Sequence, residues 1–170
     1  VLDVVEIFAR VAEKMASRLI MVGDVPDRPR AQERAKALGV GDHVVFLGKH
    51  DSVEELLPCA DLFLLPSGSE SFGLAALEAM PSGAPVVAAA IGGVPELLPH
   101  AEAGYLYPVG DVEGMSDGAL QMLNDPVLQK RFGEAGRAIA VECFSAEGVV
   151  PAYEACYERA VESHARTPER

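Results

Sequence analysis

Short, continuously apolar runs alternate with helical patterns as far as Tyr107, and this rhythm constrains the fold more than any other feature. The runs are Arg18–Val22, His43–Leu47, Asp61–Leu65, Pro85–Ala89 and Gly104–Tyr107. Most carry apolar residues at consecutive rather than alternate positions, the pattern of strands buried on both faces of a parallel sheet. Helical stretches lie between them, at Val1–Ser17, Arg28–Leu38, Ser52–Cys59, Phe72–Met80 and Val94–Leu98. Strict alternation predicts an α/β domain, a Rossmann-like doubly wound parallel sheet with helices on both faces. After Pro108 only helical patterns follow, at Val112–Leu123, Val127–Cys143 and beyond Ser145, a helical C-terminal extension. Asp125-Pro126 divides two of these helices, because proline suits a first helical position. Tyr153 and Tyr157 stand four apart beside Val149 and Val150, a spacing that predicts a stripe facing the core. The polar tail, 164–170, reads as a frayed end.

A doubly wound sheet takes its ligand beyond the carboxyl ends of its strands. The loops at that edge are Gly23-Asp24-Val25-Pro26, Gly48-Lys49-His50-Asp51, Pro66–Phe72 and Ala90–Pro95. No GxGxxG follows the first strand and no GxxxxGK[ST] occurs, which argues against dinucleotide dehydrogenases and P-loop enzymes. The third loop, Pro66-Ser67-Gly68-Ser69-Glu70-Ser71, opens into a helix with Ser71 as its expected N-cap. The amides of Phe72, Gly73 and Leu74 are then unpaired. With the positive end of the helix dipole they form a diphosphate site, and Gly73 lets a phosphate approach the backbone. Glu70 precedes this helix and Glu78 lies about 10 Å along its axis. Carboxylates repel phosphates but accept hydrogen bonds from hydroxyls. Hydroxyls on either side of a diphosphate are the layout of a nucleotide sugar. On residue type and spacing alone, a solvated Glu78 and an ordinary loop Glu70 account for the pattern equally well.

Charge narrows the partners. Against 26 acidic residues stand 14 lysines and arginines, a formal net charge of −12. Such a surface repels nucleic acid and anionic membrane, yet a pocket at helix ends still accepts a small anion. The three cysteines form no CxxC pair and the four histidines do not cluster with them. A zinc site and a disulfide framework are therefore not expected, and buried reduced thiols in a cytoplasmic protein are the expectation. No apolar run approaches the roughly 18–20 residues that span a bilayer. Ser67, Ser69 and Ser71 lie beside acidic residues, but without a GxSxG elbow they do not read as a hydrolase nucleophile. Asp24 reads as a turn residue rather than a metal ligand. Neither metal nor cofactor is called for.

The motifs combine into a family resemblance. Glu70-x7-Glu78 with Phe72-Gly73-Leu74, then Met80, Gly83-x-Pro85-Val86-Val87 and Gly92-Gly93-Val94-Pro95-Glu96, resembles the signature of the group 1 retaining glycosyltransferases. Val45-Phe46-Leu47-Gly48, Ala60-Asp61 and Val109-Gly110-Asp111 extend it over nearly the whole chain. The resemblance implies the C-terminal, nucleotide-sugar-binding half of a glycosyltransferase B fold. It also implies roles: Glu70 on the donor-sugar hydroxyls and as the catalytic carboxylate, Glu78 on the ribose, and the Phe72, Gly73 and Leu74 amides on the distal phosphate beside Ser71. Gly48, Lys49 and His50 would recognise the base, and Gly23 and Asp24 would border the nucleotide. Val25 departs from the Gly-Asp-Gly common in relatives, and Pro81 and Ser82 stand where Ala and Cys are common. Pro81 removes a helix N–H, so the helix should end by Met80.

The segments Phe46–Leu57 and Val109–Met115 look most like the bacillithiol-pathway subfamily, which implies a UDP-N-acetylglucosamine donor and an L-malate acceptor. Residues 1–163 are then the donor domain. The chain opens in a helical apolar pattern without a lead-in strand, so the expectation is a piece lacking its first strand and an N-terminal acceptor domain of the same chain. An Arg/Lys pair that neutralises the diphosphate would lie in that upstream part. Two alternatives stay open: the donor domain of another group 1 enzyme with a different acceptor, and a non-catalytic nucleotide-binding module. The acceptor, the exact sugar and homo-oligomer formation are not settled by sequence.

Overall fold

A computed structural model describes residues 1–23 and 27–165. Five strands are present: β1 (Leu19–Val22), β2 (Val44–Gly48), β3 (Phe63–Leu65), β4 (Val86–Ala89) and β5 (Gly104–Tyr107). Eight α-helices flank them: α1 (Leu2–Ala12), α2 (Arg28–Ala37), α3 (Val53–Leu56), α4 (Leu74–Ala79), α5 (Val94–Leu97), α6 (Val112–Asn124), α7 (Pro126–Phe144) and α8 (Ala146–Ala165). Every run of the sequence pattern finds its element. β1 to β4 start a residue or two later than expected, β5 has the expected bounds, and α1 ends earlier. The helical C-terminal extension is present. Of the expected frayed tail, 166–170 lie outside the described residues.

All strand pairs are parallel, but they form two sheets rather than one. β1 pairs with β2, Leu19 opposite Val44, with a register shift between Met21 and Val22. The second sheet has the order β3-β4-β5, with Val86 opposite both Phe63 and Gly104. No ladder joins β1 to β3.

β4 shows why the sheet is doubly wound. All four of its residues are buried. Val86 and Ala88 join a cluster with Met80, Leu97 and Ala140, on the side of α4, α5 and α7. Val87 and Ala89 face the other way, into a cluster with Met115, Met122 and Phe132 from α6 and α7. Helix α1 serves both sheets: Val5 and Phe8 pack with Leu19 and Val44, whereas Ile7 packs with Val87 and Phe132.

Helix starts in the extension follow simple capping. Asp111 accepts the Gly114 N–H at 2.9 Å, and Asp125 accepts those of Val127 and Leu128, both at 3.0 Å. Pro126 is the first residue of α7, where its missing N–H costs no bond.

Three expectations are corrected. The thiols of Cys59, Cys143 and Cys156 are exposed rather than buried, because each stands on an outer helical turn. β1 and β2 are not covered on both faces: Ile20 is 54%, Leu47 42%, Val22 37% and Val45 36% exposed. Their continuous apolar character reports the residues, not the burial. The tyrosine stripe of α8 does not face the core either. Tyr153 and Tyr157 are both more than half exposed, because α8 runs past the domain with Val150 and Val161 also open.

Candidate functional site

The loop from β3 to α4 is held from behind by the loop from β4 to α5. Gly93 N–H donates to the Ser71 carbonyl at 3.0 Å. A Cβ on Gly92 would collide with the Glu70 carbonyl oxygen, and one on Gly93 would stand 3.1 Å from the Phe72 ring. The backing loop is tied in turn to β5, through Ala90 N–H and the Tyr107 carbonyl at 2.8 Å. Phe72 is further fixed by an edge contact with Phe144 at 5.6 Å. Glu70, Ser71 and Phe72 therefore follow a path that only glycines at 92 and 93 leave open.

The N-cap is not Ser71. Gly73 takes that position, with φ 91° and ψ 41°, a left-handed conformation that costs glycine little. Ser71 is excluded because its backbone is already held by Gly93, and its exposed side chain caps nothing. A Cβ at Gly73 would also come within 2.9 Å of Val94. The expected amides remain available: the N–H groups of Phe72, Gly73 and Leu74 meet no acceptor among the described residues. Ala76 N–H is the first to turn inward, onto the Gly73 carbonyl at 2.9 Å.

The later start shortens the distance to Glu78. Four residues from Leu74 are about 6 Å along the axis rather than 10. α4 ends at Ala79 and passes into a 3-10 turn over Met80–Ser82, so Pro81 leaves Glu78 inside the helix as expected. Leu74 and Glu78 are four apart and both exposed, on one face, while Ala76, Ala79 and Met80 are buried. Glu70 is half-buried.

At the other sheet, two loops meet directly. Gly23 N–H donates to the Gly48 carbonyl at 2.8 Å, and both glycines have positive φ, 115° and 73°. Lys49 and His50 are exposed, with His50 Nδ1 accepting the Ser52 N–H at 3.2 Å. Asp24 lies outside the described residues. No hydrogen bond or ion pair among the described residues links this group to Glu70–Glu78; each is fixed by its own sheet.

Sequence reasoning missed three contributors. The Gly92-Gly93 doublet was visible, but not its role as a backstop. Phe144 lies far along the chain and nothing marked it. Arg28 entered the sequence reading only as the start of a helical stretch, and its guanidinium lies over the Phe46 ring, 5.5 Å from the centroid. Burial, then Tyr105, Asp111 and Asp117, push the Tyr107 phenol above its ordinary value. No group of three or more metal-ligating side chains occurs among the described residues. Nor is any helix among them long and apolar enough to cross a membrane.

Parallel strands with helices on both sides make this a Rossmann-like domain, and its solved neighbours give it the glycosyltransferase B fold. Residues 1–139 match the family model of the glycosyl transferases group 1, and the chain belongs to that family. The N-acetyl-alpha-D-glucosaminyl L-malate synthase of Bacillus anthracis is 43% identical over 155 residues, which cover 91% of this chain and 41% of the relative. The chain thus spans about two fifths of that relative's length. TarM of S. aureus, solved in complex with Fondaparinux, alpha-GlcNAc-glycerol and UDP, superposes with a TM-score of 0.82 at 25% identity, over 89% of this chain and 31% of TarM. Anabaena HepE in complex with UDP and glucose gives 0.81 at 27% identity, over 93% and 44%.

Proposed function

We propose that this chain is the donor-binding half of a retaining hexosyltransferase that uses a UDP-sugar. The observation that carries the reading is the Glu70–Leu74 turn: three amides without an acceptor among the described residues, between two carboxylates in sequence, on a loop braced by Gly92 and Gly93. The amides hold the distal phosphate, Glu78 the ribose hydroxyls and Glu70 the sugar. Gly23 and Asp24, with Gly48, Lys49 and His50, border and recognise the base. The likeness to the Bacillus anthracis synthase supports UDP-N-acetylglucosamine as donor and L-malate as acceptor.

The remaining parts belong to the longer protein. A strand placed before α1 fits between β1 and β3, each of which pairs on one side alone. α1 packs against both sheets, as the crossover helix leaving such a strand does. An acceptor domain and a cationic pair for the diphosphate lie upstream in the same polypeptide.

Chemistry follows from what Glu70 is bonded to. Hydrogen bonds to sugar hydroxyls hold it off the anomeric carbon, so it is not the nucleophile. The acceptor hydroxyl arrives on the face the phosphate leaves, and the departing phosphate oxygen takes its proton. The new glycosidic bond forms there while the helix-start amides stabilise charge on the leaving group. The sugar keeps its α configuration. NMR of the product of the longer protein tests this; an inverted β product, or a glycosyl adduct on Glu70 by mass spectrometry, overturns it. For the chain itself, calorimetry with UDP should give the same affinity with and without EDTA, and strict metal dependence would count against the reading.

A further inference from the structure

A half-buried guanidinium lies at the carboxyl end of β1 and β2 with no carboxylate partner among the described residues. Arg28 is the first residue of α2, immediately after the loop that leaves β1. One amino nitrogen donates to the Phe46 carbonyl at 3.3 Å while the group lies over the Phe46 ring. The other is 3.6 Å from the point where a Cβ on Gly48 would stand, so the absent side chain leaves that flank open. Neighbouring arginines are paired, Arg30 with Asp27 at 3.2 Å and Arg34 with Glu6 at 3.1 Å. Arg28 has no carboxylate partner among the described residues, although the chain holds 26 acidic residues against 14 basic ones. A guanidinium offers five N–H donors in a rigid plane. The ring beneath fixes that plane, so the donors not used on Phe46 are held as a fork rather than sweeping through solvent.

Position decides what the fork meets. The amides of α4 follow β3, in the other sheet, and Arg28 stands beside the last residue of β2. In the donor-domain reading the phosphates lie at the start of α4 and the base at Gly48, Lys49 and His50, next to Arg28. Uracil presents two ring carbonyl oxygens, which accept hydrogen bonds. Adenine has no carbonyl, and its ring acceptors N1 and N7 each flank the amino group, whose N–H donors oppose those of a guanidinium fork. Building on the donor-domain reading, we infer that Arg28 reads the base: it donates to a uracil carbonyl and makes the site prefer UDP over ADP.

Competitive calorimetry with UDP and ADP tests this on the protein and on Arg28→Gln and Arg28→Lys, with the thermal midpoint of each recorded. UDP should bind the unaltered protein more tightly than ADP does. Arg28→Gln should weaken UDP about tenfold, the scale of a hydrogen bond to a charged group, and leave ADP within about twofold. Arg28→Lys keeps the charge but not the fork and should not restore the preference. Unchanged UDP affinity in both variants overturns the inference alone. Equal losses for UDP and ADP with a lowered midpoint also overturn it, making Arg28 a brace for β2. Failure of the unaltered protein to bind either nucleotide overturns the donor-domain reading and this inference with it.

Discussion

The β3–β5 sheet and the β1–β2 sheet are built from the same kind of residue and finished to different degrees. In the first, Val86 and Val87 point to opposite sides and each meets a full hydrophobic cluster. In the second, Leu19 and Val44 are covered by α1 and α2, while their neighbours Ile20 and Val45 face outward. Apolar strand residues are necessary for a two-sided core but do not supply the second layer. That layer comes from helices that return over the sheet, and α4, α5, α6 and α7 all return over β3–β5. The two halves divide the candidate site between them: the Glu70–Leu74 turn stands on the completed half, and Gly23 and Gly48 stand on the half with one layer.

If the division is real, a cavity in the completed half should cost the most. Phe132 is fully buried, touches Tyr105 edge-on at 5.2 Å and shares a cluster with Ile7 of α1. Phe132→Ala should lower stability by about 3–5 kcal/mol in urea denaturation. A loss under 1 kcal/mol would mean that this half is no better packed than the other.

A smaller effect tests whether the turn depends on its brace. Any side chain at Gly92 collides with the Glu70 carbonyl, and its φ of 56° adds strain for other residues. Gly92→Ala should cost about 1–3 kcal/mol and weaken UDP binding, because Phe72 and Gly73 lose their place. Retained UDP affinity would show that the amides do not need the backing loop. The carboxylates separate at a comparable scale. Glu78→Ala should weaken UDP by about 1.5–3 kcal/mol, whereas Glu70→Ala should leave UDP affinity unchanged and lower turnover in the longer protein. Equal losses of UDP affinity would break the assignment of one carboxylate to ribose and the other to sugar.

Strand and helix order was legible because apolar runs, prolines and Asp caps act locally. The boundaries around Asp125-Pro126 and the end of α4 ahead of Pro81 follow from residues within a turn of the event. The two-sheet split was not legible, since pairing partners are set by segments far apart. The N-cap illustrates the same limit inside the site. Ser71 has the right chemistry for a cap, but Gly93, some twenty residues on, already holds its carbonyl, and Val94 leaves no room for a side chain at 73. Tyr153 and Tyr157 have core spacing on a helix that meets no core. Periodicity identifies a face and leaves open what covers it.

The smallest predicted effect probes the unfinished face itself. Ile20 and Val45 are opposite each other in the β1–β2 ladder, and both are open to solvent. Threonine keeps the β-branched shape that a strand favours and exchanges a methyl or longer group for a hydroxyl that water can satisfy. In this chain Ile20→Thr and Val45→Thr should each change stability by no more than about 0.5 kcal/mol, the range of ordinary surface substitutions. The same changes in a longer polypeptide that supplies the strand between β1 and β3 decide what the face is for. A cost there of 1 kcal/mol or more would show that the added chain brings the second layer with it. A cost as small as before would mean that β1 and β2 work with one bare face. The contrast between the two sheets would then be a permanent feature of the domain.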